Sequence, residues 1–334
     1  MRALRLRAPV MAAASLAAIA LSCAGAPPAG GSGETQAAER LFNAGNYAAA
    51  ISNLQTVVSQ SSSSAEGYYW LGRSYYEISD YDSAVAQAEK SVALDPKNSV
   101  YHQWLGRAYG AKADRDHSFS LAKKVKKEFQ TAVSLNPSNI EARRDLEEYC
   151  LDAPWIVGGS KDEALEQVNA IAALDPVQGH LARAVYNREA LKKPDDAEAE
   201  IRQVLAARPK SIDPYLEVAN FFQAQDKPTD MAAAVQAASE TTPNDPRLSY
   251  YHGVVAVLAG NGTSVAERDL KSYLASTPDR SDWPPHAAAR EWLGRLYESQ
   301  GKRAEAAEQY RAALQLDPKR REAKARLAKL EKSQ

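Results

Sequence analysis

Residues 65–98 read AEGYYWLGRSYYEISDYDSAVAQAEKSVALDPKN, and their pattern returns along the chain. Trp-Leu-Gly-Arg occupies 70–73, 104–107 and 292–295, and each of these glycines is followed three residues later by Tyr75, Tyr109 or Tyr297. Gly72 and Gly106 lie 34 residues apart. A proline closes each unit, at Pro96, Pro137, Pro176, Pro209, Pro243, Pro278 and Pro318, with successive gaps of 41, 39, 33, 34, 35 and 40 residues. Self-similarity at this period marks a stacked repeat architecture. Leu71 and Tyr75 recur at helical spacing, so they fill a contact between helices. Small residues at Gly72 and Ala84 let the two helices of a unit approach closely. Pro96 ends the second helix and sets the turn into the next unit. One helix pair cannot bury its apolar face alone, so the units must stack.

In 65–98 the positions that carry the pattern are Tyr68, Leu71, Gly72, Tyr75, Ala84 and Pro96. In 287–320 they are Leu293, Gly294, Tyr297, Ala306, Tyr310, Ala313 and Pro318. This resembles the tetratricopeptide repeat (TPR), a 34-residue helix–turn–helix unit. The resemblance covers nearly all of the chain after residue 35 and weakens in the middle, where Tyr186 and Ala219 replace the glycine. It implies an all-α, right-handed superhelical solenoid of about eight TPR helix pairs. They fall at roughly 36–64, 65–98, 99–139, 140–178, 179–211, 212–245, 246–280 and 287–320. Segment 281–286, SDWPPH, breaks the last two units, and Ala and Leu at helical spacing in 321–332 predict a C-terminal capping helix.

The N-terminus has a different character. Arg2, Arg5 and Arg7 precede an uncharged, Ala- and Leu-rich run from Ala8 to Ser22. That run is too short to span a bilayer and fits a secretory signal. Ala20-Leu21-Ser22-Cys23 resembles a bacterial lipobox, which would make Cys23 the lipidated residue, although the pattern usually has Leu where Ala20 stands. Ala24-Gly25-Ala26 offers a rival cleavage site, disfavoured by Pro27 directly after it. The expected organisation is a signal over 1–23, a flexible Pro/Gly/Ser tether over 24–35, and a repeat domain over 36–334. An exported protein follows, lipid-anchored in the cell envelope or periplasmic, with the membrane as one partner. Cys150 is the only other cysteine, so a cleaved chain has no internal disulfide. A net charge of -1 gives no basic footprint for nucleic acid.

Catalytic constellations are missing from the sequence. The five histidines form no HExxH pair and have no CxxC companion, so neither a metal site nor a cofactor is expected. No G-x-S-x-G elbow, Walker loop or dinucleotide fingerprint occurs, and the chain does not read as an enzyme. Neighbouring acids such as Glu147-Glu148 and Asp195-Asp196 point in different directions on a helix and read as solvated surface.

Binding candidates are of three kinds. Residues 153–160, APWIVGGS, interrupt the fourth unit and could offer Trp155 and Ile156 to a partner, since loops on rigid scaffolds often carry binding. Lys123, Lys124, Lys126 and Lys127 surround an apolar stripe of Leu121, Ala122, Val125 and Phe129. They form a solvated face or one attracted to anionic headgroups or glycans. Finally, the family resemblance implies a groove lined by first helices. By repeat position it would carry Tyr69, Arg73, Tyr76, Gln103, Arg107, Arg144, Arg183, Asn187, Asn220, Tyr250 and Arg295. Tyr, Arg and Asn suit extended peptides or carboxylates, but the Lys-and-Asn arrangement of chaperone-tail binders is not reproduced. The expected function is a protein-binding scaffold or adaptor of the bacterial cell envelope that holds a protein or peptide partner. An anionic glycan or polymer is the alternative ligand.

Overall fold

A computed structural model describes residues 33–260 and 263–332. The expected signal 1–23, with Cys23, lies outside the described residues. All regular structure among the described residues is helical. Those through Gln203 form one compact unit and those from Val204 a second.

The first unit holds α1 (Gly33–Asn43) with α2 (Tyr47–Gln60), and α3 (Ala65–Glu77) with α4 (Tyr81–Leu94). Next come α5 (Ser99–Asp116) with α6 (Phe119–Leu135), and α7 (Ile140–Asp152) with α8 (Lys161–Leu174). The last pair is α9 (Pro176–Glu189) with α10 (Pro194–Ala207), and the unit boundary falls inside α10. From α1 to α9 each helix packs on the next, and the first helices also touch one another, α1 on α3, α3 on α5, α5 on α7 and α7 on α9. The first helices are therefore the tighter, inner row of this stack. Helix α1 opens at Gly33, slightly inside the segment expected to be tether.

The second unit repeats the plan. It holds α11 (Asp213–Gln223) with α12 (Pro228–Thr241), α13 (Leu248–Leu258) with α14 (Thr263–Ser276), and α15 (His286–Ser299) with α16 (Arg303–Leu316). Helix α17 (Arg321–Lys332) closes it, burying Ala323 and Leu330. The eight helix pairs and closing helix among the described residues thus match the count expected from the repeat.

Small residues do what the pattern required. A Cβ on Gly72 would lie 3.2 Å from the Ala84 carbonyl and 3.3 Å from the Ala88 nitrogen, so α3 and α4 approach backbone to backbone. At Gly106 and Gly294 the space is taken by a ring instead, Phe129 and Tyr310 respectively, each 2.5 Å from where the Cβ would be. The first unit's core runs without interruption from Ala84 through Leu105, Val125, Phe129, Leu146 and Ile171 to Tyr186. Extra length in the third pair lengthens both helices, with α5 at 18 residues and α6 at 17.

The turn inside a pair has one backbone solution. A residue in the left-handed region sits at Gly45, Ser79, His117, Lys192, Asp226, Gly260 and Gly301, with φ between 49° and 103° for every positive-φ residue of the described chain. The amide after it donates five residues back at Asn46→Leu41, Asp80→Tyr75, Ser118→Ala113, Lys227→Phe222 and Lys302→Tyr297. This closes the first helix and starts the second within one turn.

Candidate partner-binding surface

Helices α3, α5 and α7 of the first unit's inner row bring together the polar and aromatic positions of the expected groove. Tyr69, Arg73 and Tyr76 stand on α3, one helical turn apart, and a narrow cleft between them and Trp104 of α5 is floored by Gly72, Ala84, Ala88, Ser91 and Ala108. Small residues in the floor are what let the cleft exist. Arg73 is caged: its guanidinium lies 4.2 Å from the Trp104 ring centre, 4.6 Å from Phe42, 4.7 Å from Trp70 and 5.6 Å from Tyr69. It donates to the Tyr69 hydroxyl at 3.2 Å, while its Nε is buried with no hydrogen-bond partner among the described residues. Cation–π attraction holds the charge without a carboxylate.

One turn of the stack further on, the charge is compensated. Arg107 lies 4.8 Å from the Trp104 ring centre and donates from Nε to Asp145 of α7 at 2.7 Å, with Glu141 3.6 Å away. Burial pulls the Arg107 pKa down, but Asp145 and Glu141 more than offset it and leave it raised. Gln103 is buried and donates to the same Asp145 oxygen at 2.8 Å, so it is part of the scaffold and not of the open surface. Half-buried Glu148 follows on α7. Burial, with Asp145 and Asp152 adding to it, pushes its carboxyl up to about 8 against the pull of Arg144 and Arg107. Burial likewise raises the Tyr76 hydroxyl, keeping it protonated and able to donate.

The remaining sequence candidates are placed differently. Arg144 donates to Gln178 of α9 at 3.1 Å and continues the same row. Arg183 turns toward the second helix of its pair, donating to Glu200 of α10 at 3.1 Å beside His180. Asn187 is half-buried on α9. Asn220 and Tyr250 belong to the second unit, where Asn220 hydrogen-bonds Tyr251. Tyr250 is a correction: at 3% exposure it packs against Tyr251 and Tyr273 and offers no surface. Arg295 lies flat on the buried Trp292, 3.9 Å from its ring centre.

Trp155 and Ile156 stand apart from the groove on a 3-10 turn, Trp155–Val157, between α7 and α8. They are 84% and 57% exposed. Trp104, Asp145 and Glu148 were absent from the groove expected on sequence. Trp104 was visible as the first residue of the second Trp-Leu-Gly-Arg, but its counterparts Trp70 and Trp292 are buried, so identity alone could not show that it lines a cleft. Among the described residues no group of three His, Cys, Asp or Glu could hold a metal ion.

Family models described as tetratricopeptide repeat match residues 35–99 and 287–320. The chain carries tetratricopeptide repeats. The matches lie toward the two ends of the described residues, and those between them form further helix pairs. No curated protein matches the chain. Among solved structures it is similar to the Cut9–Hcn1 hetero-tetramer of the APC/C, at 12% identity and a TM-score of 0.49, over 89% of this chain and 55% of that one. The chain therefore spans little more than half of that relative. It is also similar to a tetratricopeptide repeat protein of Parabacteroides merdae, at 16% identity and a TM-score of 0.47 over 80% of this chain and 98% of that one. A thermophilic repeat protein of Thermus thermophilus is similar at 19% identity and a TM-score of 0.46, over 57% and 97%.

Proposed function

We propose that this tetratricopeptide-repeat chain is a scaffold that holds an extended segment of a partner protein along α3, α5 and α7. The observation that carries this is the cleft of Tyr69, Tyr76 and Trp104 with the caged Arg73 at its side. Aromatic side chains and arginine are the residues that dominate binding energy at protein interfaces, and here they are half-exposed and held in place by packing. Past the cleft the row changes to Arg107, held by buried Asp145, then Arg144 and Glu148, which supplies donors and acceptors to a peptide backbone. No step of bond making is assigned to it, and the reading is binding without catalysis.

A place in the bacterial cell envelope, reached through the N-terminal signal and a lipid on Cys23, is part of the proposal. It is supported by Arg2, Arg5 and Arg7 ahead of the uncharged run that ends at Cys23. Replacing Cys23 by Ala is expected to release the protein from the membrane fraction; unchanged retention argues against the anchor.

The binding reading is tested by placing a photo-cross-linking amino acid at 69 or 76 and, as a control, at exposed position 86 on α4. A partner captured from 69 and 76 and not from 86 supports the inner-row site. Equal capture from all three, or none from 69 and 76, rejects it.

A further inference from the structure

The turn between α7 and α8 is built to hold an apolar knob outward. Its backbone is fixed from several sides. Val157 is buried, and the Tyr149 hydroxyl lies 2.6 Å from the Ala122 carbonyl and 2.8 Å from that of Val157. The Lys126 ammonium donates to the Gly158 carbonyl at 2.7 Å. Gly159 donates to Pro154 at 3.1 Å and Ser160 to Cys150 at 2.9 Å. Gly158 has φ +103°, and a Cβ on Gly159 would fall 1.8 Å from the Ala153 carbonyl, so this path of the turn calls for glycine at both positions. On this fixed turn Trp155 and Ile156 project into solvent, although burying such side chains would gain about 1.5–3 kcal/mol each.

A cationic, apolar helix face lies alongside. Lys126, which clamps the turn, belongs to the side of α6 that also carries Phe119, Lys123 and Lys127, since residues three and four apart share a helix face. Phe119 is 55% exposed. Lys124 is on the other side, 5.0 Å over the Tyr109 ring. Two carboxylates beside this face are occupied: Glu163 pairs with Lys126 at 2.5 Å and accepts from Gln130, and Glu128 is held by His102 at 2.6 Å. Lys123 and Lys127 are exposed, and neither forms an ion pair among the described residues.

We propose that this edge of the first unit, Trp155, Ile156 and Phe119 with Lys123 and Lys127, docks on the surface of an anionic lipid bilayer. The indole and the two apolar side chains enter the headgroup region, and the lysine stems lie along them with their ammonium groups at the lipid phosphates. A convex apolar knob flanked by uncompensated cations complements a plane of anionic headgroups. The association is peripheral, as no helix among the described residues is long and apolar enough to cross a membrane. This surface is separate from the α3–α5–α7 cleft, which stays open when the edge is docked.

The test uses the full chain with Cys23→Ser and Ile156→Cys, labelled at position 156 with an environment-sensitive fluorophore. Cys150 does not compete, being buried with its thiol pushed up to about 12. Vesicles of phosphatidylcholine, with or without phosphatidylglycerol, are added. A label at 156 reports the knob alone, independently of the apolar N-terminal stretch. On phosphatidylglycerol vesicles its emission is expected to move to shorter wavelength and become quenchable by nitroxide lipids, with no change on phosphatidylcholine. Lys123→Gln with Lys127→Gln is expected to weaken the shift's vesicle dependence about 30-fold, near fivefold per lysine. A label unmoved by anionic vesicles, or moved equally in the double-Gln variant, overturns the proposal.

Discussion

The two units share a repeat but fasten it differently. In the first, helices α2 to α9 start on a side chain that accepts an amide: Asn46, Ser64, Asp80, Asn98, Ser118, Asn139, Ser160 and Asp175. In the second, Ile212, Lys227, Arg247, Pro285 and Lys302 stand at the same kind of position and make no side-chain cap. The aromatics differ by degree: both units bury rings, Trp70, Tyr101, Tyr109 and Tyr149 among them in the first. Tyr69, Tyr76 and Trp104 stay half-exposed around a cleft, while Tyr250, Tyr251, Tyr273 and Trp292 are buried in the second unit. The first unit takes its helix starts from local hydrogen bonds and leaves rings for a partner. The second uses its rings for its own core. A repeat position therefore sets where a side chain starts, and its neighbours decide whether it is surface or interior.

The largest effect expected from this contrast comes from truncating rings. Tyr273 is fully buried and donates to the Pro284 carbonyl at 2.6 Å, so Tyr273→Ala should cost about 3–5 kcal/mol in chemical denaturation. Tyr76→Ala, at the rim of the cleft, should cost about 1 kcal/mol and reduce partner capture instead. Equal losses would break the comparison.

Buried charge comes next. Arg247, 3% exposed, is bonded to Asp213 at 2.8 Å and to Asp245 at 2.8 Å, and Asp213→Ala leaves that guanidinium short of a partner. A loss of about 3 kcal/mol is expected, with Asp145→Ala in the first unit similar because Arg107 and Gln103 both depend on it. Denaturation midpoints of the two variants check this.

Acidity should separate the units further. Glu148 binds its proton more tightly folded, at about 8, than at its ordinary 4.5, so the folded chain holds the extra proton between those values. Stability is then expected to fall as pH rises through that window. His102, raised mainly by its hydrogen bond to Glu128, contributes in the same direction, its share being lost as pH climbs past its raised pKa. Glu148→Gln should flatten the slope measured by denaturation between pH 5 and 8; an unchanged slope would assign all of it to His102.

Caps should give the smallest changes. Asp80 has φ −82° and ψ 75°, and Lys302 has φ −80° and ψ 73°, so the backbones match and only the acceptor differs. Asp80→Ala should cost about 1 kcal/mol, and Lys302→Asp should gain about 0.5 kcal/mol, read as shifts of the denaturation midpoint.

Much of the fold was legible because the repeat's signature residues do the packing. Gly72, Gly106 and Gly294 mark close approaches, the prolines mark the unit ends, and the helix at 321–332 followed from Ala and Leu at helical spacing. The surface was less legible. Tyr69, Arg73 and Arg107 were found by repeat position, but Tyr250 at the same kind of position is buried by Tyr251 and Tyr273, and Arg183 is drawn to Glu200. Those outcomes depend on residues 17 to 27 positions away, on other helices, which no single-helix pattern encodes. The exposed Trp155 was visible as an insertion, yet the clamp from Tyr149 and Lys126 that keeps it exposed was not.

The left-handed turn residue repeated inside the pairs has a practical consequence. Gly45, Gly260 and Gly301 adopt that backbone freely, whereas Ser79, His117, Lys192 and Asp226 adopt it with a Cβ in place. These four sites belong to different pairs, and none of them is itself a residue of the cleft or of the Trp155 edge. Replacing them by glycine one at a time shifts local melting by a few tenths to about 1 kcal/mol, strain relief being partly offset by a freer unfolded chain. The order in which the pairs come apart on heating could be rewritten without replacing a residue of either contact surface.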